Sequence, residues 1–199
     1  MTTPVRTGIA SGPLTDAIKE DHQEMYEYYD KYKKARTQGD ADSQERWAHQ
    51  LLWEVARHAV GEEIVVYPLM EKNLGSEGKK LADHDRDEHQ FVKEKLYAIE
   101  SLSPSSPEYD SILATVMDHL HHHNDSEEMK DLPLLEPTLG EEASAQAART
   151  FSRTKKFVPT HPHPSVPNQP PLETFVGFLA APIDKLRDAF TKFPTEDMK

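Results

Sequence analysis

Two fourteen-residue stretches, HAVGEEIVVYPLME at 58–71 and HNDSEEMKDLPLLE at 123–136, align without a gap and agree at six positions, where average residue usage would give about one match. The shared residues are His58/His123, Glu62/Glu127, Glu63/Glu128, Pro68/Pro133, Leu69/Leu134 and Glu71/Glu136. In each stretch a histidine stands four residues before a glutamate. Positions four apart stack on one face of an α-helix, so each pair can aim an imidazole and a carboxylate at one centre. That is chelating geometry. The repeat extends upstream, because Asp21-His22-Gln23 and Glu88-His89-Gln90 precede the two copies, with 36 residues from His22 to His58 and 34 from His89 to His123. Two helical hairpins are predicted, each with one histidine on its first helix and the His-x-x-x-Glu pair on its second.

His22, His58, Glu62, His89, His123 and Glu127 each interrupt an apolar helical seam. A buried imidazole or carboxylate without partners is costly, and a cation cluster is the simplest compensation. Nitrogen and oxygen donors together suit iron, manganese or zinc better than calcium or magnesium. Six donors exceed what one tetrahedral zinc takes but suit two metals about 3.5–4 Å apart. Glu62 and Glu127 would bridge them, with His22 and His58 serving one metal and His89 and His123 the other. The bland alternative is a hydrogen-bonded polar layer in a metal-free bundle.

The elements that must carry these residues are legible from periodicity. A first helix is expected from a Thr15 N-cap to about Gln38, before Gly39, with Ile18, His22, Met25, Tyr29 and Tyr32 on one stripe. A second, from about Ala41 towards Asn73, carries Leu51, Val55, His58, Glu62, Val65 and Leu69. A third, roughly Glu77 to Ser101, aligns Leu81, Asp85, His89, Val92, Leu96 and Ile99, and a fourth starting near Pro107 aligns Ile112, Val116, Leu120, His123 and Glu127. Pro68 and Pro133 should kink or end their helices by removing a donor. The predicted fold is all-α: an up-down-up-down four-helix bundle over residues 14–139, a flexible N-terminus at 1–13, and a helical, Pro-rich extension at 140–199 that packs on the bundle. In that extension a fifth helix is expected over 141–158, six prolines lie between Pro159 and Pro171, and two short helices are expected on either side of Pro182. The apolar tail residues Phe175, Phe178, Leu179, Ile183, Leu186, Phe190 and Phe193 should cover the bundle or mediate a homodimer.

Composition narrows the function. The net charge of −12 argues against binding a phosphate backbone, so no nucleic-acid partner is expected. There is no cysteine, which removes disulfides, thiolate metal sites and a cysteine nucleophile. No run of eighteen apolar residues and no secretory leader pattern is found, so the expectation is a soluble, cytoplasmic protein without a membrane partner.

With DH at 21–22, HAVGEE at 58–63, EHQFV at 88–92 and HNDSEE at 123–128, the chain resembles the hemerythrin-like HHE cation-binding domains over about residues 14–136. LAAPIDKLRDAF in the tail is similar to extensions on fungal members. The resemblance implies two non-haem irons, ahead of manganese or zinc, and oxygen-linked redox chemistry or binding with O2, peroxide or NO as the small molecule. The up-down topology belongs to the same comparison. Oxygen-carrying members hold their irons with five histidines and two bridging carboxylates, and their third helix supplies two histidines four apart. Here Asp85 stands four before His89, and His84 cannot replace it, because five residues turn a helix by about 140° from the face of His89. Asp85 either ligates or orients a ligand. If it does not ligate, both metals gain exchangeable positions, which favours redox reactivity over reversible carriage.

Further residues are weighed beside these. His119 lies one turn before His123 and is an extra ligand or a supporting donor, although repeat register selects His123. Tyr26, one turn after His22, could donate to a bound oxidant or simply be core. Glu63 and Glu128 point about 100° from the proposed bridges and read as solvated acids. His49, His121 and His122 read as surface residues, and the HPHP run at 161–164 as linker. Iron or oxygen sensing, storage-type binding without turnover, and a purely structural bundle stand as alternatives to redox chemistry.

Overall fold

The computed structural model describes residues 12–166, 168 and 172–198. The expected flexible lead-in, apart from Gly12 and Pro13, lies outside the described residues, as do the side chains of Phe175, Phe178 and Leu179.

Helix α1, Pro13–Gln38, places Pro13 in the first turn, where its missing N–H costs nothing, and closes on Gly39 in the left-handed region. Its cap is Gly12 rather than Thr15. Thr15 lies inside the helix, where its N–H and hydroxyl donate to Glu136 Oε2 at 3.0 and 2.6 Å. Helix α2, Ala41–Ile99, starts at an Asp40 cap and joins the two expected inner helices into one run, interrupted at Gly75 with φ 60° and ψ −130°. Only a residue without Cβ adopts that conformation readily. The chain folds back there, so the arms 41–74 and 76–99 lie side by side, tied by the Arg86–Glu71 ion pair at 2.7 Å. Helix α3, Pro107–Ser126, is capped by Ser106. It continues through a π-turn, Glu127–Asp131, into α4, Leu132–Leu139.

Equivalent prolines therefore have different effects. The first arm of α2 runs through Pro68 without a break, whereas the turn just before Pro133 widens to i→i+5 bonding, Leu132 N–H reaching Glu127 C=O.

The four long segments form an all-α bundle with two apolar clusters. One gathers Met25, Tyr32, Trp47, Val55, Val92, Leu96, Val116 and Leu120, and the other Leu14, Ile18, Val65, Val66, Tyr67, Ala82, Leu132 and Phe151. On every helix the histidine falls at the boundary: His22 between Ile18 and Met25, His58 between Val55 and Val65, His89 between Ala82 and Val92, His123 between Leu120 and Leu132. A polar layer thus lies across the bundle between two dry ends.

Beyond Gly140, α5, Glu141–Thr154, packs across α1 and α2 through Ala147 and Phe151. A Cβ on Gly61 would approach the Phe151 ring to 2.9 Å, so the helix before Glu62 must present a bare backbone for α5 to dock. Helix α6, Leu172–Asp188, is continuous through Pro182 and not the expected pair of short helices. The HPHP run is anchored: His161 bonds Glu100 at 2.6 Å and Asp188 at 3.2 Å, and His163 bonds Asp184 at 2.9 Å. Phe193 lies against Trp53 with centroids 6.1 Å apart, while Ile183, Leu186 and Phe190 stay exposed. No helix among the described residues is long and apolar enough to cross a membrane.

Candidate metal centre

The four histidines meet two by two. His22 Nε2 lies 3.1 Å from His58 Nε2, and His89 Nε2 lies 3.1 Å from His123 Nε2. Glu62 reaches both pairs, its Oε1 3.1 Å from His58 Nε2 and its Oε2 3.4 Å from His89 Nε2. Glu127 Oε2 stands 3.6 Å from His22 Nε2. One donor atom each from His22, His58 and Glu62 lies within 4.8 Å of the others, and the same holds for Glu62, His89 and His123. All six residues are at most 3% exposed.

The outward ring nitrogens are also engaged. His22 Nδ1 pairs with Glu128 at 2.8 Å, His58 Nδ1 with Asp21 at 3.0 Å, His89 Nδ1 with Glu63 at 3.2 Å and His123 Nδ1 with Glu88 at 2.8 Å. Ionised carboxylates only accept, so each Nδ1 carries a proton and each Nε2 faces inward, where it offers a lone pair whenever its imidazole is neutral. The acid before each hairpin's first histidine supports that hairpin's second histidine. The acid after each central glutamate supports the first histidine of the other hairpin. Both repeated acidic positions are explained by this weave.

Glu63 and Glu128 are therefore not the solvated acids expected from the helical wheel. Glu63 is fully buried, and Lys93 Nζ donates to it at 2.7 Å. The 100° offset from Glu62 points Glu63 towards the second arm of α2, not towards solvent. Glu128 is partly buried, with Lys19 at 3.2 Å. Asp21 receives the ammonium of Lys155, from just beyond α5, and Lys155 also donates to Glu54 at 2.6 Å. The Phe151 ring stands edge-on to His58 with centroids 5.6 Å apart. The extension thus covers the first half of the centre.

Convergence of acceptors sets the electrostatics. Burial alone would raise Glu62, but the His58, His89 and His22 imidazoles outweigh it and hold Glu62 far below the ordinary carboxylate range. Glu127 is driven well above that range by burial, then by the Glu62 and Asp85 charges. Burial opposes charge on His58, yet Glu62 and Asp21 lift it to about 9, so at neutral pH a proton stands where a cation would. Burial lowers His22 and His89. No oxygen of Glu62 or Glu127 accepts a hydrogen bond of good geometry from the described residues. Inward lone pairs facing buried carboxylate oxygens are satisfied only by protons or metal ions, and this donor set fits iron, manganese or zinc.

The remaining predicted residues separate. Asp85 is 2% exposed, and one donor atom each from it, Glu88 and His123 lies within 4.8 Å of the others. Burial pushes its carboxyl up to about 7. His119 packs on Phe91 with centroids 4.5 Å apart and joins none of the donor clusters among the described residues. Tyr26 accepts from Asn124 at 2.9 Å and stacks on His121. His121 and His122 are exposed, and half-buried His49 bonds the Lys192 carbonyl at 3.0 Å.

Tyr67 is the residue that periodicity missed. Fully buried, it places its hydroxyl 3.1 Å from His89 Nε2, the inward nitrogen, and is held well above the usual phenol range by burial and then by Glu62, Asp85 and Glu127. The signal was present in the repeat, where Tyr67 replaces the aliphatic Leu132 of the second copy.

A model of the hemerythrin HHE cation-binding domain matches residues 14–135, and the chain belongs to this family. An uncharacterised hemerythrin-like protein of the fission yeast Schizosaccharomyces pombe is 51% identical over 181 residues, covering 91% of this chain and 88% of that protein. That likeness extends past the bundle into the C-terminal region. No solved structure matches the chain.

Proposed function

We propose that the centre holds two non-haem irons and serves oxygen-linked chemistry with O2, peroxide or NO. The observation that carries this reading is the inward turn of four Nε2 atoms around Glu62, with Glu127 beside His22, each imidazole fixed from behind by a carboxylate. His22 and His58 would hold one ion and His89 and His123 the other, with Glu62 spanning both and Glu127 as the second carboxylate between them. Two irons so held would supply a redox-active pair able to bind or reduce a small oxidant. The Tyr67 hydroxyl offers a further donor or ligand at the His89 side. Phe151 and the surrounding apolar clusters keep bulk water from the layer.

A sensing role without turnover is favoured by one observation: Lys155 and Phe151 of the extension touch Asp21 and His58 directly, so a change at the first ion would be felt by the tail. A homodimer, if formed through the extension, would use the exposed Ile183, Leu186 and Phe190 of α6 and its end.

Elemental analysis of protein purified without chelator, read beside its near-ultraviolet and visible absorption, tests the reading. Two irons per chain with charge-transfer bands support it. One zinc, or no metal after anaerobic ferrous reconstitution, leaves a structural bundle as the better account.

A further inference from the structure

The two hairpins agree in their histidines and central glutamates, and two of the positions where they differ exchange a buried aliphatic residue for an acid. Asp85 stands four residues before His89, where the first hairpin has Ile18 before His22. Asp131 stands four after Glu127, where Val66 follows Glu62. Ile18 and Val66 belong to an apolar cluster and are fully buried. Asp85 and Asp131 are nearly as deep, at 2% and 3% exposed, yet Asp85 Oδ2 and Asp131 Oδ1 have no hydrogen-bond partner among the described residues. Two aliphatic positions have thus become two buried acids with incomplete partners.

A second asymmetry falls at the same place. Three of the acids behind the histidines hold a lysine: Glu128 holds Lys19, Glu63 holds Lys93 and Asp21 holds Lys155. The fourth, Glu88, has no lysine or arginine ion pair among the described residues; beyond His123 its neighbour is His84, at 3.8 Å. Asp131 is within electrostatic reach of Asp85, Glu88, His84 and His123, and also of Lys130, which makes no ion pair with it among the described residues. Glu88 thus lacks the lysine its three counterparts hold while two further acids stand close by, and the outer edge is open, since the His84 side chain is 66% exposed.

We propose that Asp85 and Glu88, whose carboxylate oxygens come together beside His123, form an accessory site for a hard divalent cation such as Mn2+ on the outer side of His123, with Asp131 adding negative charge close by. An oxygen-rich site holds such ions more loosely than the imidazole-rich centre holds its own. Its position between exposed His84 and buried His123 makes it the loading step for the second half of the centre. That loading role rests on the two-metal reading of the centre; the accessory site itself does not.

The test is anaerobic titration of the metal-free full chain with Mn2+, free Mn2+ being read by electron paramagnetic resonance. Wild type is compared with Asp85→Asn/Asp131→Asn and with Asp85→Ile/Asp131→Val, which copies the first hairpin; circular dichroism checks that each remains helical. Wild type should bind two ions tightly and a third weakly, and both double variants should keep the tight pair and lose the weak ion. The Ile/Val variant should also melt higher than wild type without metal, because the acids lacking full partners are gone. Two ions in all three proteins with unchanged affinity overturn the accessory site. Loss of a tight ion in the variants also overturns it, since an acid would then be a ligand of the centre. If wild type lacks the tight pair but binds one ion that disappears with the acids, the two-metal reading fails and the accessory site stands.

Discussion

Replacing Glu63 by Gln separates orientation of a histidine from neutralisation of a lysine. Glu63 accepts from His89 Nδ1 at 3.2 Å and from Lys93 Nζ at 2.7 Å, and Lys93 is only 7% exposed. The amide keeps the shape and can still accept from His89, but it carries no charge. A metal-binding imidazole that loses a charged support of this kind binds its metal about 10–100-fold more weakly. In the same variant Lys93 becomes a buried ammonium without its counter-charge, which destabilises by about 3–5 kcal/mol. Adding Lys93→Met removes that ammonium and should bring the metal-free stability back to within about 1 kcal/mol of wild type, while the loss of metal affinity persists. Urea unfolding of the metal-free proteins reads the first quantity, and competition with a chelator reads the second. If Glu63→Gln binds metal as tightly as wild type, or if affinity returns with stability in the double variant, Glu63 serves Lys93 alone and its role behind His89 is refuted.

Glu128→Gln is the exposed counterpart: with Lys19 and Glu128 side chains 40% and 25% exposed, its stability cost should stay below about 1 kcal/mol, while chelator competition again shows about 10–100-fold weaker binding. Phe151, 1% exposed, packs on His58 and Gly61; Phe151→Ala should cost about 3–5 kcal/mol in urea unfolding and speed metal release to a chelator, and an unchanged release rate would show that α5 does not cover the centre. The metal-free protein should lose stability in alkali. His58 is raised from 6.5 to about 9 because Glu62 and Asp21 outweigh burial, so its contribution is complete below pH 6.5 and fades as pH rises through about 9. That shift corresponds to roughly 3 kcal/mol, shared with Glu62. Thermal melts across pH 6–10 should fall without metal and stay level with it, because the metal takes the proton's place; a level metal-free profile would contradict the assignment.

The repeat in the sequence determined the four histidines and two glutamates of the buried layer, the number of bundle helices and the order in which they carry the histidines. A 3.6-residue period encodes which side chains share a helical face, and a gapless internal match carries that information from one hairpin to the other. Periodicity says nothing about what stands opposite the remaining faces. Glu63 and Glu128 each stand next to a central glutamate in sequence, but one points at His89, 26 residues away, and the other at His22, 106 residues away. Only packing of the arms decides that these faces look inward. Thr15 reads as a helix cap until Glu136, 121 residues on, takes its hydroxyl and N–H. Equivalent prolines end in an unbroken helix at Pro68 and a π-turn before Pro133. The cover that α5 lays over His58 depends on the contact of Phe151 with Gly61, two positions with no common local pattern. Ligand types and spacing are local and survive in the one-dimensional pattern. The counter-charges behind them, the phenol of Tyr67 beside His89 and the closing helix depend on which surfaces meet, and only the folded chain determines that.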